Sequence, residues 1–370
     1  VVHYLDHAAT TPLRPEALAA MQQQWLQVGN PSSLHTAGRQ ARRVVEESRE
    51  QIAAVIGAKP ADVIFTSGGT EADNLALKGL ARNTDRSRVL VSAVEHHAVL
   101  DPAQALAEEG KTVELIPVDG LGRVDLVALE QMLDDDVAVV AVMWANNEVG
   151  TVQPIAQTAR LCAARGVPFH TDAVQALGQV PLDVDGIPSV ALSAHKVGGP
   201  VGVGALVLDR DLAVRPLVHG GGQERDVRSG TLDAAGIAGF AAALAAEKSD
   251  LAPLRDDLIR GVQDVVPDAV LNGDPLDRLP NNAHFSFPGC PGDALLMLLD
   301  AAGVAVSTGS ACTAGIPQPS HVLLAMGADE RMARSSLRFS LGWNSSADDV
   351  SALLAALPPA VERARRAGGL

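Results

Sequence analysis

Val137-Ala138-Val139-Val140-Ala141-Val142-Met143-Trp144-Ala145 is apolar at nearly every position. A strand with one wet face alternates apolar and polar side chains, so a run without alternation reads as a strand covered on both faces. Such a strand belongs in the middle of a parallel sheet. Working outward, short β-rich runs recur at Val63 to Phe65, Arg88 to Val91, Val113 to Pro117, Pro168 to His170, Val190 to Leu192 and Val203 to Leu208, several of them separated by helical segments. That alternation predicts an α/β fold with a mostly parallel seven-stranded sheet between layers of helices.

Upstream, Arg39 to Ile56 has apolar residues at 44, 45, 52, 55 and 56, charged residues between them and Gly57 behind, the pattern of an amphipathic helix with a stop. After the helical stretch Leu232 to Glu247 the texture changes. Leu254 to Val265, Ala283 to Phe287, Ala294 to Leu299, Val304 to Val306, Leu337 to Phe339 and Val350 to Arg365 read as a smaller α+β unit. The chain's 370 residues are long enough for two domains. We expect a large domain over residues 15–250 and a small C-terminal one assembled from 1–14 and 251–370.

The net charge is −15 with no basic block to offset it, which argues against direct gripping of nucleic acid. An apolar share of 47% with 20% charged residues is globular rather than disordered. Three cysteines, Cys162, Cys290 and Cys312, form no C-x-x-C pair, so neither a disulfide framework nor a zinc site is expected and at least one thiol is free. VVHYLDHAATTP at the start has no basic n-region or apolar h-region, and the run from Ala234 to Ala246 falls short of the ~20 residues that cross a bilayer. These features predict a soluble cytoplasmic protein with no signal peptide and no membrane contact. Lysine is scarce as well: Lys59, Lys78, Lys111, Lys196 and Lys248 are the only amines available to chemistry.

In open α/β sheets ligands bind beyond the carboxyl ends of the strands, and the unusual polar residues of this chain fall there. Thr66-Ser67-Gly68-Gly69-Thr70-Glu71 opens a helix with small residues, leaving N–H groups free to hold an anion. It is neither a Walker loop nor a G-x-G-x-x-G fingerprint, so nucleotide binding gains no support. Three further strand ends lead into Glu95-His96-His97, Asn146-Asn147-Glu148 and Thr171-Asp172-Ala173-Val174-Gln175, and a fourth into Ser193-Ala194-His195-Lys196 with a Gly-rich stretch behind it. Individually these have plain readings: a capped turn, a hydrogen-bonded histidine, a helix cap, a surface lysine. Together, an anion cup, a carboxylate, a stackable imidazole and a lysine suit pyridoxal phosphate, whose phosphate, ring nitrogen, ring face and aldehyde need those four groups.

With these residues in view, the sequence resembles a cysteine desulfurase of the NifS/IscS group, within the fold-type-I pyridoxal phosphate enzymes related to class V aminotransferases. The resemblance runs almost the whole length, from YLDHAATTP through TSGGTEADN, EHHAV, NNEVGTVQP, TDAVQALG, SAHK, GGGQERDVRSGT and SACTAG to SSLRFSLG. It implies that Lys196 holds the cofactor covalently and later moves the substrate α-proton, that Asp172 pairs with the ring nitrogen, and that His96 stacks on the ring while Gln175 bonds its phenolic oxygen. It implies a phosphate site of Gly69, Thr70, Ser193 and His195, with Thr231 reaching the phosphate of the other subunit of a homodimer. Arg338 would grip the carboxylate of L-cysteine, and Asn147 would assist beside the cofactor.

Cys312, in Ser310-Ala311-Cys312-Thr313-Ala314-Gly315, is by resemblance the nucleophile that takes sulfur as a persulfide. The run to Pro319-Ser320-His321 matches the long-loop subgroup, which points to delivery of sulfur to an acceptor protein such as an iron–sulfur scaffold or a tRNA-thiolation enzyme. No metal is implied. The chain departs from many relatives after the lysine, where Gly198 and Val201 replace a bulkier and a basic residue, so altered contacts are expected at the cofactor rim. Other readings are the same apparatus used on selenocysteine, a class V aminotransferase in which Cys312 is incidental, and a silent sulfur-carrier or interaction subunit.

Overall fold

The computed structural model describes residues 2–309 and 319–367. β1 (His3–Tyr4), α1 (Pro15–Trp25) and α2 (Thr36–Ile56) precede a seven-stranded sheet. The sheet comprises β2 (Val63–Thr66), β3 (Arg88–Ser92), β4 (Thr112–Ile116), β5 (Val137–Ala141), β6 (Phe169–Asp172), β7 (Ser189–Ser193) and β8 (Gly204–Leu208), in the order β2-β8-β7-β6-β5-β3-β4. From β4 to β7 the neighbours run parallel, while β8 is antiparallel to both β7 and β2. Between the strands run α3 (Gly69–Ala81), α4 (His97–Glu108), α5 (Leu126–Met132) and α6 (Ile155–Ala164), and α7 (Ala234–Ala245) follows.

The central run behaves as its composition demands. All five residues of β5 are buried. Val140 packs with Phe169, Val190 and Phe240 on one side of the sheet, and Val139 and Ala141 pack with Leu77, Leu80, Val99 and Leu106 of α3 and α4 on the other. Each fully buried Val, Leu or Phe side chain of this kind stabilises the fold by about 1.5–3 kcal/mol before entropy is counted. α2 buries Val45, Ile52, Ala53 and Ile56 and stops at Gly57, whose left-handed φ of 72° brings its N–H to Ala53 O. It begins at Thr36, earlier than the apolar pattern shows, because His35 caps it through the N–H of Gly38.

α8 (Ala252–Val265), β9 (Val270–Asn272), β10 (Asn282–Ser286), α9 (Gly292–Ala301), β11 (Val304–Ala305), α10 (His321–Ala325), α11 (Glu330–Arg334), β12 (Ser336–Ser340) and α12 (Ala347–Ala367) build a second layer pair. Its antiparallel sheet runs β12-β10-β9. Phe285, Phe287 and Phe339 cluster with ring centroids 6.1–6.4 Å apart. With Leu258, Leu299, Leu353 and Leu357 they form a separate apolar core, which Leu5 joins. β1 pairs in parallel with β11, so the N-terminal segment is fastened to this second core. Among the described residues no helix is long and apolar enough to cross a membrane.

Candidate active site

At the carboxyl edge of the large sheet a cavity of about 240 Å³ is lined by Gly69, Thr70, Asp73, His96, Ala98, Met143, Asn147, Asp172, Val174, Gln175, Ser193, His195 and Lys196. It draws on the ends of β2, β3, β5, β6 and β7. Gly69 opens α3 behind Gly68, and no side chain caps the helix, so the first turn presents unmet N–H groups and the positive end of its dipole. A Cβ on Gly69 would come within 2.6 Å of Val174 Cγ2, so glycine is what the close approach of α3 to the turn after β6 requires. Ser67 N–H donates to Glu71 at 2.7 Å, and Arg228 Nε donates to the same carboxylate at 2.8 Å, which fixes the flank of the cup.

Asp172 ends β6, only 6% exposed, with Oδ1 accepting the N–H of Val174 at 2.8 Å. Among the described residues it has no ion-pair partner. Burial raises its carboxyl to about 6, opposed by that hydrogen bond and by Lys196. A carboxylate this deep without a cation fits a ligand that brings one. His96 caps α4, its Nδ1 accepting from Ala98 N–H at 3.0 Å. Burial, then the field of Lys196, lowers it to about 4, so the ring is neutral across ordinary pH.

Lys196 lies in the tight turn Ala194–Lys196 after β7. Its Nζ donates to Ala8 O at 2.5 Å and Ala9 O at 2.9 Å. Burial and Arg338 lower it to about 8, against the opposite influence of Asp172 and Asp6. His195 Nδ1 is 3.2 Å from Thr10 Oγ1, and Gln175 Nε2 donates to Ala8 O at 2.9 Å. Asn147 presents its carbonyl to Arg338 Nη1 at 2.8 Å, which brings β12 of the second sheet to the cavity's edge. The donor set therefore matches pyridoxal phosphate: helix-end N–H groups and hydroxyls for a phosphate, a lone carboxylate for a ring nitrogen, a neutral imidazole for a ring face, and an amine of lowered basicity for an aldehyde.

Thr231 is exposed and lies outside the cavity. Cys312 lies outside the described residues, while Cys162 and Cys290 are buried, the former pushed up to about 12 by burial. The rim expected at Gly198 and Val201 is elsewhere: a Cβ on Gly198 would meet Arg14 Cγ at 2.6 Å, Val201 is 79% exposed, and neither lines the cavity.

The sequence reading gave no role to two buried carboxylates, Asp73 and Glu95, or to the N-terminal segment 6–10. Asp73, one helical turn beyond Thr70, is fully buried and bonds His170 Nε2 at 3.0 Å, leaving Oδ2 without a partner. Its placement at i+3 from a cup residue was the available signal. Glu95 lies buried behind His96, accepting from Ser92 Oγ and Met143 N–H, and burial raises it to about 8. Residues 6–10 reach Lys196, Gln175, His195 and Arg338, contacts spanning 167 to 332 positions that no local pattern announces.

The chain matches the aminotransferase class-V family over residues 3–353. It is 55% identical to the IscS-like cysteine desulfurase of Mycobacterium tuberculosis, over 98% of this chain and 97% of that one. A solved NifS-like protein superposes with a TM-score of 0.91 at 34% identity, covering 98% of this chain and 100% of that one. SspA in complex with cysteine superposes with a TM-score of 0.82 at 32% identity, over 92% and 98% of the two chains. Site chemistry, fold and full-length similarity agree, and the chain belongs to the class-V aminotransferase family, in its IscS/NifS group of pyridoxal-phosphate-dependent cysteine desulfurases.

Proposed function

We propose that this protein removes sulfur from L-cysteine, releases L-alanine and carries the sulfur on Cys312 for delivery to an acceptor. The observation that carries the reading is the convergence of Lys196, Asp172, His96 and the uncapped start of α3 on one cavity from separate strand ends. When bound, pyridoxal phosphate supplies a sink for the electron pairs released at the substrate's α-carbon and from its carbon–sulfur bond. The chain's residues do the rest. Gly69, Thr70, Ser193 and His195 bind the phosphate, Asp172 holds the ring nitrogen protonated, His96 packs on the ring face and Gln175 donates to the phenolic oxygen.

Lys196 would hold the aldehyde and is the group placed to accept the substrate α-proton; an amine lowered to about 8 is basic enough to accept it and acidic enough to return it. Arg338 grips the substrate carboxylate through the planar fork that suits two oxygens, with Asn147 beside it. The Cys312 thiolate then bonds to the substrate sulfur. As that S–S bond forms, the substrate Cβ–S bond breaks, its electron pair stays with carbon, and protonation there gives alanine. The run of small residues around Cys312 in the sequence supports this role.

Two apolar cores support a division into 15–250 and 1–14 with 251–370. Trp25, Leu26, Val28 and Leu34 are exposed together between α1 and α2, at 61, 86, 86 and 87%, and that apolar patch supports a homodimer in which Thr231 completes the phosphate site of the partner. The sulfur acceptor is a protein, such as an iron–sulfur scaffold or a tRNA-thiolation enzyme, since a net charge of −15 disfavours direct contact with nucleic acid. Free-thiol chemistry supports a reducing compartment such as the cytoplasm.

The test is the yield of alanine and sulfide from L-cysteine by cofactor-loaded wild type and Cys312→Ala, with an excess of a dithiol that reduces the Cys312 persulfide to thiol and sulfide. The expected result is near-equal amounts of both products from wild type and a loss of about 100-fold or more in the variant. Full turnover by Cys312→Ala would select an aminotransferase, and absence of both products from wild type would overturn the reading.

A further inference from the structure

Beside the cofactor cavity lies a cluster of ionisable groups to which the reaction gives no task. Asp73, on α3 one turn beyond Thr70, is completely buried and lines the cavity together with Asp172. Its Oδ1 is 3.0 Å from His170 Nε2, and His170 Nδ1 is 2.8 Å from Ser189 Oγ on β7. His170 and Asp172 stand two positions apart on β6, so both side chains leave the strand on the same face. Glu95, after β3, is buried with Oε2 unpartnered, as Asp73 is with Oδ2. Among the described residues His170 is the one basic side chain within ion-pair distance of any of these three carboxyls.

Charge balance limits how many of the three can be ionised. Bound pyridoxal phosphate brings one positive ring nitrogen, which balances one carboxylate. Two more anions in the same dry space would have no cation, and an ionised Asp73 would leave a charged oxygen bare. A protonated Asp73 avoids both costs. Its unbonded oxygen is then a neutral carbonyl, and its O–H meets an imidazole that burial keeps neutral, lowered to about 3. The contacts of His170 then fit one tautomer, with Nε2 accepting from Asp73 and Nδ1–H donating to the serine oxygen. Burial first, and then the charges of Asp172 and Glu95, raise the Asp73 carboxyl.

We propose that Asp73 is a positioning residue that works as a neutral acid: its Oδ1–H donates to His170 Nε2, His170 Nδ1–H donates to Ser189, and Asp172 is left as the anion that faces the ring nitrogen of the cofactor. The inference rests on the reading of Asp172 as the partner of that nitrogen and adds what keeps Asp172 ionised. An ionised Asp73 would drive the proton onto Asp172, and the ring nitrogen would lose its counter-charge. The same bond joins two parts of the site, because α3 opens at the phosphate cup and β6 ends at Asp172.

The test is infrared spectroscopy of the cofactor-loaded protein at neutral pH, in wild type and in Asp73→Asn, whose amide is neutral and can donate to His170 Nε2 as the acid does. The expected result is a carbonyl stretch of a protonated, buried carboxyl that wild type has and the variant lacks, while affinity for pyridoxal phosphate stays within about threefold. Retention of every protonated-carboxyl band by the variant, or a larger change of affinity in either direction, overturns the proposal. A second readout needs no variant. Nitrogen NMR of His170 in the cofactor-loaded wild type should show Nδ1 bearing the hydrogen and Nε2 bare, and a hydrogen on Nε2 overturns the proposal. The reading of Asp172 is checked apart from Asp73. Asp172→Ala is expected to weaken the hold on pyridoxal phosphate by about tenfold or more, and a variant that binds it as tightly as wild type overturns that reading, and the proposal with it, whatever the band of Asp73 shows.

Discussion

Lys196 shows how a common side chain becomes a reagent. Its amine falls from the ordinary 10.5 to about 8, first because burial penalises the ammonium and then because Arg338 repels it. Only the neutral amine attacks an aldehyde. Capture of pyridoxal phosphate by the cofactor-free protein should therefore accelerate with rising pH and level off above about 8, some two pH units before an unperturbed lysine would. Stopped-flow absorbance across pH 6 to 10 reads the midpoint, and a midpoint near 10 would remove burial as the controlling factor. His96 and His195, both lowered to about 4 chiefly by burial, stay neutral throughout that range and do not enter the profile. Residue types at strand ends made this set legible in the sequence, because polar groups beyond a buried strand have few structural reasons to be there. Asp73 carried only its i+3 spacing from Thr70: on an otherwise ordinary helix a carboxylate reads as solvent-facing, and the packing of α3 against β6 is what brings it to His170.

At the scale of elements, among the described residues the segment after β8 holds the non-glycine residues with left-handed backbone. Glu224, Arg225 and Asp226 take positive φ of 40°, 60° and 60° in succession, a left-handed turn that non-glycine residues adopt at a cost. The turn is held from inside. Glu224 accepts from Arg49 Nη2 at 2.7 Å and Nη1 at 2.8 Å and from Phe65 N–H at 2.7 Å, so one carboxylate ties the turn to α2 and β2. Glu224→Ala would remove the buried, doubly bonded partner of Arg49 and leave it only the more exposed Glu46 carboxylate at 3.1 Å. We expect a loss of about 3–5 kcal/mol, read as a lower denaturant midpoint in urea; a change under about 1 kcal/mol would mean that the turn holds itself. Strand positions followed from composition, since a doubly buried strand has few substitutes for Val, Ile and Ala. The antiparallel course of β8 did not, because side-chain period is the same in both directions, and α10 and α11, at five residues each, are too short to show a helical period.

For the whole molecule, the uncovered apolar side chains between α1 and α2 are what burial in one copy leaves unfinished. On the proposed homodimer, replacing Val28 and Leu34 together by Glu gives a monomer by light scattering and a weaker hold on the cofactor, because the contribution proposed for Thr231 of the partner subunit would be withdrawn. A variant that stays dimeric would exclude this patch as the contact. The N-terminal strap imposes a different order on events. β1 docks on β11, and Asp6 meets Arg338 across 332 positions, so the residues that seat Lys196 and balance Arg338 wait until nearly the entire chain has emerged. Contacts of such separation close late in folding. During synthesis the large sheet can collapse around its own core while its lysine still lacks the Ala8 and Ala9 carbonyls and Arg338 has yet to be made. A chain that stops short of Arg338 thus lacks both that guanidinium and the contact that fastens Asp6, so its lysine is made long before the site around it can close.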